Sequence, residues 1–313
     1  MFSKVDAPPL DYGTGSMFDL IATRYDLINR ALALGMDLNW RRTMVRKIGE
    51  SLAASGNLQP KILDLATGTA DVALLLAQEI PSATIVGVDP SHNMLEVGRQ
   101  KVKQQKLDAA IDLQLSDSRN LGEIATSSFD AATMAFGIRN VPDRDVALCE
   151  IHRVLRPASR FGILEFSEPD ASFGILGAVA RIFIRHIVPV VGGLLSGAPR
   201  EYLHLQNSIK EFPSPQQFGE LLQTLDCGSA GGYFEMEELI QMNFGSVQLY
   251  ITKVMNRRKE MTEEPLAVID QDEAEGVHLD ENLPNDLRNG EKPDLHGAES
   301  IQASPESEPN HVE

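Results

Sequence analysis

Cysteine is scarce in this chain: two in 313 residues, Cys149 and Cys227, neither with a histidine or second cysteine at metal-ligand spacing. That excludes a zinc module, and both read as small reduced core residues with neither a disulfide nor a metal site expected. No dense lysine–arginine cluster occurs, so the electrostatic footprint of a nucleic-acid binder is missing. No uncharged apolar run reaches the roughly 18 to 20 residues of a membrane-spanning helix. The opening Met1-Phe2-Ser3-Lys4-Val5-Asp6 has one base and an early acid, and reads as neither signal nor transit peptide. The phosphate-cradling pattern G-x-G-x-x-G is also lacking, which counts against a dinucleotide-dependent dehydrogenase.

The net charge of −17 is not spread evenly. From Lys259 onward there are 16 acidic and 3 basic residues, so this stretch carries −13 of it and the rest is nearly neutral. Residues 259–313 are also poor in aromatics and rich in Glu, Asp, Pro, Asn and Ser. Such a composition buries too little apolar area to offset its ordering entropy, and a disordered acidic tail is expected. The remainder divides into an N-terminal extension, 1–15, and one domain, 16–258.

Within that domain, apolar residues from Leu20 to Leu34 recur at helical spacing until Gly35, making 16–56 helical. From Lys61 strands near 61–66, 84–89, 111–116, 129–136 and 160–166 alternate with helices near 71–79, 92–104 and 143–155. Arg156-Pro157 closes the last of these helices. The alternation predicts a mainly parallel sheet covered on both faces. A helix near 215–225 and a strand over 247–253 follow. Residues 173–198 are strongly apolar but interrupted by Arg181, Arg185, His186 and Pro189, which suits a lid or interfacial element within a substrate segment, 173–212.

The run Lys61-Ile62-Leu63-Asp64-Leu65-Ala66-Thr67-Gly68-Thr69-Ala70-Asp71 reads as a buried strand ending in an acid, then a small-residue turn into a helix. This is the first β-turn-α of a nucleotide-type fold. With one turn glycine, Gly68, the backbone can approach a cofactor that carries no phosphate, and Thr69 and Asp71 can bond its amino-acid part. On the turn alone, another doubly wound protein fits equally well. Asp89, ending Ile85-Val86-Gly87-Val88-Asp89, adds a carboxylate suited to two ribose hydroxyls. Met94 can pack on an adenine ring or simply against the sheet. Asp117 and Ser118 fall where an acid meets the adenine amino group, or on a solvated loop.

Phe136-Gly137-Ile138-Arg139-Asn140-Val141, together with Leu164-Glu165-Phe166-Ser167, is the most distinctive pattern. With Tyr25-Asp26-Leu27-Ile28-Asn29, Gly35, Trp40-Arg41, Tyr202 and Phe212-Pro213-Ser214-Pro215, it resembles the ubiquinone/menaquinone biosynthesis C-methyltransferase family over about 17–255. The resemblance implies a Rossmann-like class I α/β fold with a mainly parallel seven-stranded sheet, S-adenosyl-L-methionine as cofactor, and methylation of a polyprenylated quinol ring. It implies cofactor contacts at Thr69, Asp89, Asp117 and Ser118. The residues themselves add Asp64, Gly68 and Asp71 around the turn, and Met94 after Asp89. Four positions depart from the family pattern: Ala70 at a turn glycine, Ala135 for serine, His204 for tyrosine and Tyr250 for histidine.

Arg139 stays protonated, so it suits stabilisation of a ring phenolate and not proton abstraction. Asp26, His204 or a water on Asn140 are candidate proton acceptors, and Tyr25 a candidate for positioning the ring. Tyr202 and His204 are substrate-side candidates. A bilayer-resident substrate implies a peripheral membrane surface, with Arg181 and Arg185 toward headgroups. Self-association or membership of a quinone-biosynthesis complex, and the compartment, stay open. Another small-molecule methyltransferase and a silent methyltransferase-like scaffold are the rival readings.

Overall fold

Gly35, with φ +75°, divides the N-terminal helical stretch in two in the computed structural model. The structure describes residues 15–169, 173–188, 206–229 and 231–257; Tyr202, His204, the N-terminal extension and the acidic tail lie outside them. The elements are α1 (Gly15–Leu32), α2 (Met36–Ala54), β1 (Lys61–Leu65), α3 (Asp71–Glu79), β2 (Thr84–Asp89), α4 (His92–Gln104), β3 (Ile111–Leu115), β4 (Phe129–Ala135), α5 (Arg144–Val154), β5 (Leu155–Phe166), α6 (Gly174–Ile182), α7 (Pro215–Thr224), β6 (Gly232–Met242) and β7 (Val247–Asn256).

Seven strands form one sheet in the order β3-β2-β1-β4-β5-β7-β6. The first five are parallel, and β7 and β6 join antiparallel. This is an α/β, Rossmann-like arrangement with a mainly parallel seven-stranded sheet, as the resemblance implied. Alternate residues of each strand feed opposite faces. Ile62, Ile85 and Leu164 pack with Trp40, Met44 and Ile48 of α2 and Leu76 of α3 on one side. Leu63, Val86 and Ile163 pack with Leu148 and Ile151 of α5 and Phe218 of α7 on the other. Both faces are therefore apolar, as the continuous hydrophobic runs of β1 and β2 require.

Three differences from the sequence reading have local causes. β5 begins at Leu155, not 160. Arg156 precedes Pro157 and is forced extended, and Leu155 already pairs with Phe129 before a bulge shifts the register. β6 was not apparent, because Glu235, Glu237 and Glu238 crowd its exposed positions and mask the period-two pattern; antiparallel pairing with β7 imposes the strand. The third concerns the cysteines. Instead of staying reduced, Cys149 on α5 and Cys227 before β6 form a disulfide with Cα atoms 5.0 Å apart. Their 78-residue separation hid a proximity that arises only when α5 and the chain entering β6 share one face of the sheet.

Candidate active site

Parallel strands end together, and the irregular backbone beyond their carboxyl ends leaves a crevice. Of the twelve predicted site residues within the described chain, eleven line one cavity there: Tyr25, Asp26, Asp64, Gly68, Thr69, Asp71, Asp89, Met94, Asp117, Ser118 and Asn140. Arg139 is not on that wall. The crevice encloses about 980 Å³ of space, the open solvent at its mouth included.

The turn after β1 is built from left-handed residues: Ala66 (φ +49°), Gly68 (+55°) and Ala70 (+66°). Ala70 thus bears the strain, about 1 kcal/mol, that glycine would avoid. A side chain on Gly68 would meet nothing within 4 Å, so its open face looks into the cavity. Its N–H donates to Asp89 Oδ2 at 2.8 Å, and Ser91 N–H donates to Oδ1 at 2.8 Å. Each Asp89 oxygen therefore holds one backbone donor and keeps a further lone pair for a ligand. Asp64 is engaged differently, accepting from Thr67 Oγ1 at 2.6 Å and Thr133 Oγ1 at 2.7 Å.

Neither Asp64 nor Asp89 has a cationic partner within 4.0 Å among the described residues. Burial raises both from the ordinary 3.8 to about 6, against the pull of their hydrogen bonds. Met94 is buried and on the wall, so packing and cavity lining coincide. Asp117 is no solvated loop residue: Arg119 Nη2 grips its Oδ2 at 2.7 Å.

Thr69 and Asp71 reach the cavity but their polar atoms are committed within the chain. Thr69 Oγ1 donates to Asp26 Oδ1 at 2.6 Å, and Lys101 Nζ donates to Asp26 Oδ2 at 3.0 Å. Lys101 also bonds Asp71, whose second oxygen accepts from Arg30 Nη2 at 3.1 Å. This network ties α1 to the start of α3 and to α4.

On the β4 side, Phe136 takes φ +58° and stacks on Phe166 with centroids 4.5 Å apart. Backbone strain of this kind concentrates at functional sites. The following 3₁₀ turn, Ile138–Asn140, sends Arg139 inward, where Nη1 donates to Glu165 Oε1 at 2.6 Å and to the Phe136 carbonyl at 2.7 Å. Arg139 Nε is buried, with no hydrogen-bond partner among the described residues. Tyr25 lies in the field of both Arg139 and Arg41, yet burial dominates and raises its hydroxyl pKa.

Sequence reasoning missed Arg41 as a site residue, although Trp40-Arg41 was in the recognised pattern. It lines the cavity, with its guanidinium 5.2 Å from the Phe136 ring.

The model of the ubiE/COQ5 methyltransferase family matches residues 11–251. The chain belongs to that family. It is 44% identical over 203 residues to the ubiquinone/menaquinone biosynthesis C-methyltransferase UbiE of Geotalea daltonii, covering 64% of this chain and 82% of that protein. It is 37% identical over 235 residues to the demethylmenaquinone methyltransferase of Thermus thermophilus, covering 75% and 98%. The protein is therefore an S-adenosylmethionine-dependent methyltransferase. The cavity suits such a donor. Two unpaired floor carboxylates favour a ligand bearing cationic sulfur and nitrogen, and Asp89 offers spare lone pairs to a ribose diol.

Proposed function

We propose that this methyltransferase transfers a methyl group to a ring carbon of a polyprenylated quinol in quinone biosynthesis. The observation that carries the donor half is Asp89, buried at the end of β2 and held open by the Gly68 and Ser91 N–H groups. When bound, the donor supplies an electrophilic methyl on a sulfonium sulfur. The chain's task is to hold a ring carbon in line and stabilise phenolate charge as the ring becomes nucleophilic.

Tyr25 is a hydrogen-bond donor in this reading. Its raised pKa keeps the hydroxyl protonated near neutrality, so it donates to a ring oxygen and does not take its proton. Arg139 adds positive potential from behind the wall, and Glu165 fixes its orientation. Asn140, on the wall, can hold a ring hydroxyl or a water. Asp26 is a poor base, because Thr69 and Lys101 occupy its two oxygens.

Among the described residues no helix is long and apolar enough to cross a membrane. However, α6 and the turn after it expose Ile175, Leu176, Val179, Ile182, Phe183 and Ile187, which supports peripheral contact where the isoprenoid chain resides. Offering purified protein both a demethylated benzoquinol and a demethylated naphthoquinol tests the proposal. Methylation of either supports it, and turnover of simple soluble phenols alone would refute it. Flotation with anionic vesicles tests the surface: Ile175→Asp with Val179→Asp should release the protein, and equal flotation would remove α6 from contact.

A further inference from the structure

Arg41 stands apart among the cavity's charged groups. Among the described residues it is the one lysine or arginine on a wall that carries five aspartates, and it is 8% exposed. The nearby cations are occupied elsewhere. Lys101 is shared by Asp26 and Asp71, and Arg30 by Asp71 and Asp37. Arg41 bonds only through Nη1, to the Asp37 carboxylate one helical turn earlier and to the Asp37 carbonyl at 3.3 Å. Among the described residues its Nε and Nη2 make no hydrogen bond. A guanidinium whose position is fixed by one edge while the other stays free is prepared for a planar oxyanion.

Its place along the sheet narrows which oxyanion. The order β3-β2-β1-β4 sets Asp117, Asp89, Asp64 and Phe136 in sequence along the crevice. Arg41 acts on Asp64 electrostatically and lies over Phe136, so it belongs between β1 and β4, beyond the ribose position. Arg139 lies over the other ring of the stacked pair, Phe166, at 5.5 Å. The two guanidinium groups therefore serve different neighbours.

We propose that Arg41 is the specificity residue for the donor's amino-acid end, its free Nε–Nη2 edge taking the α-carboxylate as a bidentate pair. This rests on the reading of the cavity as the methyl-donor site. It assigns to α2 a part in donor recognition that the turn residues Thr69 and Asp71, tied to α1 and α4, leave unfilled.

Calorimetric titration with S-adenosylhomocysteine and with its decarboxylated analogue, which lacks only the carboxylate, tests the assignment without turnover. Wild type should prefer the intact ligand roughly 10- to 100-fold, the range for hydrogen bonds to a charged partner. In Arg41→Met that preference should fall below about threefold, with affinity for the analogue little changed. Should Arg41→Met fail to fold, since it strips Asp37 of a partner, Arg41→Lys gives the same reading. An ammonium cannot form the fork, so the preference should shrink by about tenfold. Equal binding of both ligands by wild type overturns the assignment, as does a preference that survives in either folded variant. A variant that loses only turnover would move Arg41 to the acceptor ring and overturns it too. Wild type that binds neither ligand would instead refute the donor-site reading itself.

Discussion

Donor affinity should depend on pH through Asp89, and the structure sets the size. Burial holds this carboxyl near pKa 6 in the free protein, above the ordinary 3.8. Hydroxyl donors bind the ionised form, so below about pH 6 binding must first remove a proton. Between pH 7 and pH 5 the affinity for S-adenosylhomocysteine should fall about tenfold, roughly 1.4 kcal/mol. Asp89→Asn removes the charge, and one of the Gly68 and Ser91 donors loses its acceptor. With about 1.5–3 kcal/mol for each charge-assisted bond, two lost bonds predict at least a hundredfold weaker binding. The residual binding of this variant should be flat in pH. Asp64 has a similar pKa, so Asp64→Asn is the necessary comparison, and it should keep the slope. Calorimetry from pH 5 to pH 8 on the three proteins decides the matter. An affinity that is level between pH 5 and 7 in wild type, or a slope that persists in Asp89→Asn, refutes the reasoning.

Asp64 should reveal itself in stability. Its folded pKa is raised, so its stabilising contribution is complete below about pH 4 and is lost as pH rises through 6, about 3 kcal/mol by pH 7. The melting temperature of Asp64→Asn relative to wild type should therefore climb from pH 4 to pH 8; a constant difference would show that burial of the charge is not the cause. Tyr250 is fully buried with its hydroxyl unpartnered among the described residues, so Tyr250→Phe should raise stability by about 1–2 kcal/mol in denaturant titrations, and a loss would mean the hydroxyl has a partner. Replacing Cys149 and Cys227 together by alanine releases a 78-residue loop constraint, and should cost about 4.5 kcal/mol in the chain-entropy account. Oxidised and reduced wild type with equal unfolding midpoints would contradict that bond.

Much of this was legible in the sequence because the relevant signals are local. Asp64, Gly68 and Asp89 sit at strand ends, where the alternation of apolar strand and helix already fixes which edge they occupy. Gly35 marked the α1–α2 break because no other residue takes φ +75° at so little cost. What escaped depends on contacts between distant segments. Asp26 was read as a proton acceptor, yet Lys101, 75 residues away, and Thr69 claim it once α1 lies across the turn. Arg139 was read as a phenolate partner presented by a tight turn, but β7 pairs with β5 and leaves Glu165 buried beside it as a counter-charge. Arg41 read as one half of a tryptophan–arginine pair, and only Asp37, one turn back, shows which edge of it is free. The cysteine pair failed for the same reason.

α1 buries Ala22 and Ile28, and polar ties add to its hold across the crevice: Asp19 to Ser91 and Asn93, Asp26 to Lys101, Arg30 to Asp71. The partly exposed ion pairs among them weaken as the Debye length shrinks from about 10 Å at 0.1 M salt to about 3 Å at 1 M, whereas the apolar sheet core is indifferent to ions. Raising salt over that range should hasten release of S-adenosylhomocysteine in stopped-flow displacement while the unfolding temperature barely moves. Ionic strength would then act on the crossing helix as a rheostat for product departure, and a release rate blind to salt would mean that the exit lies elsewhere.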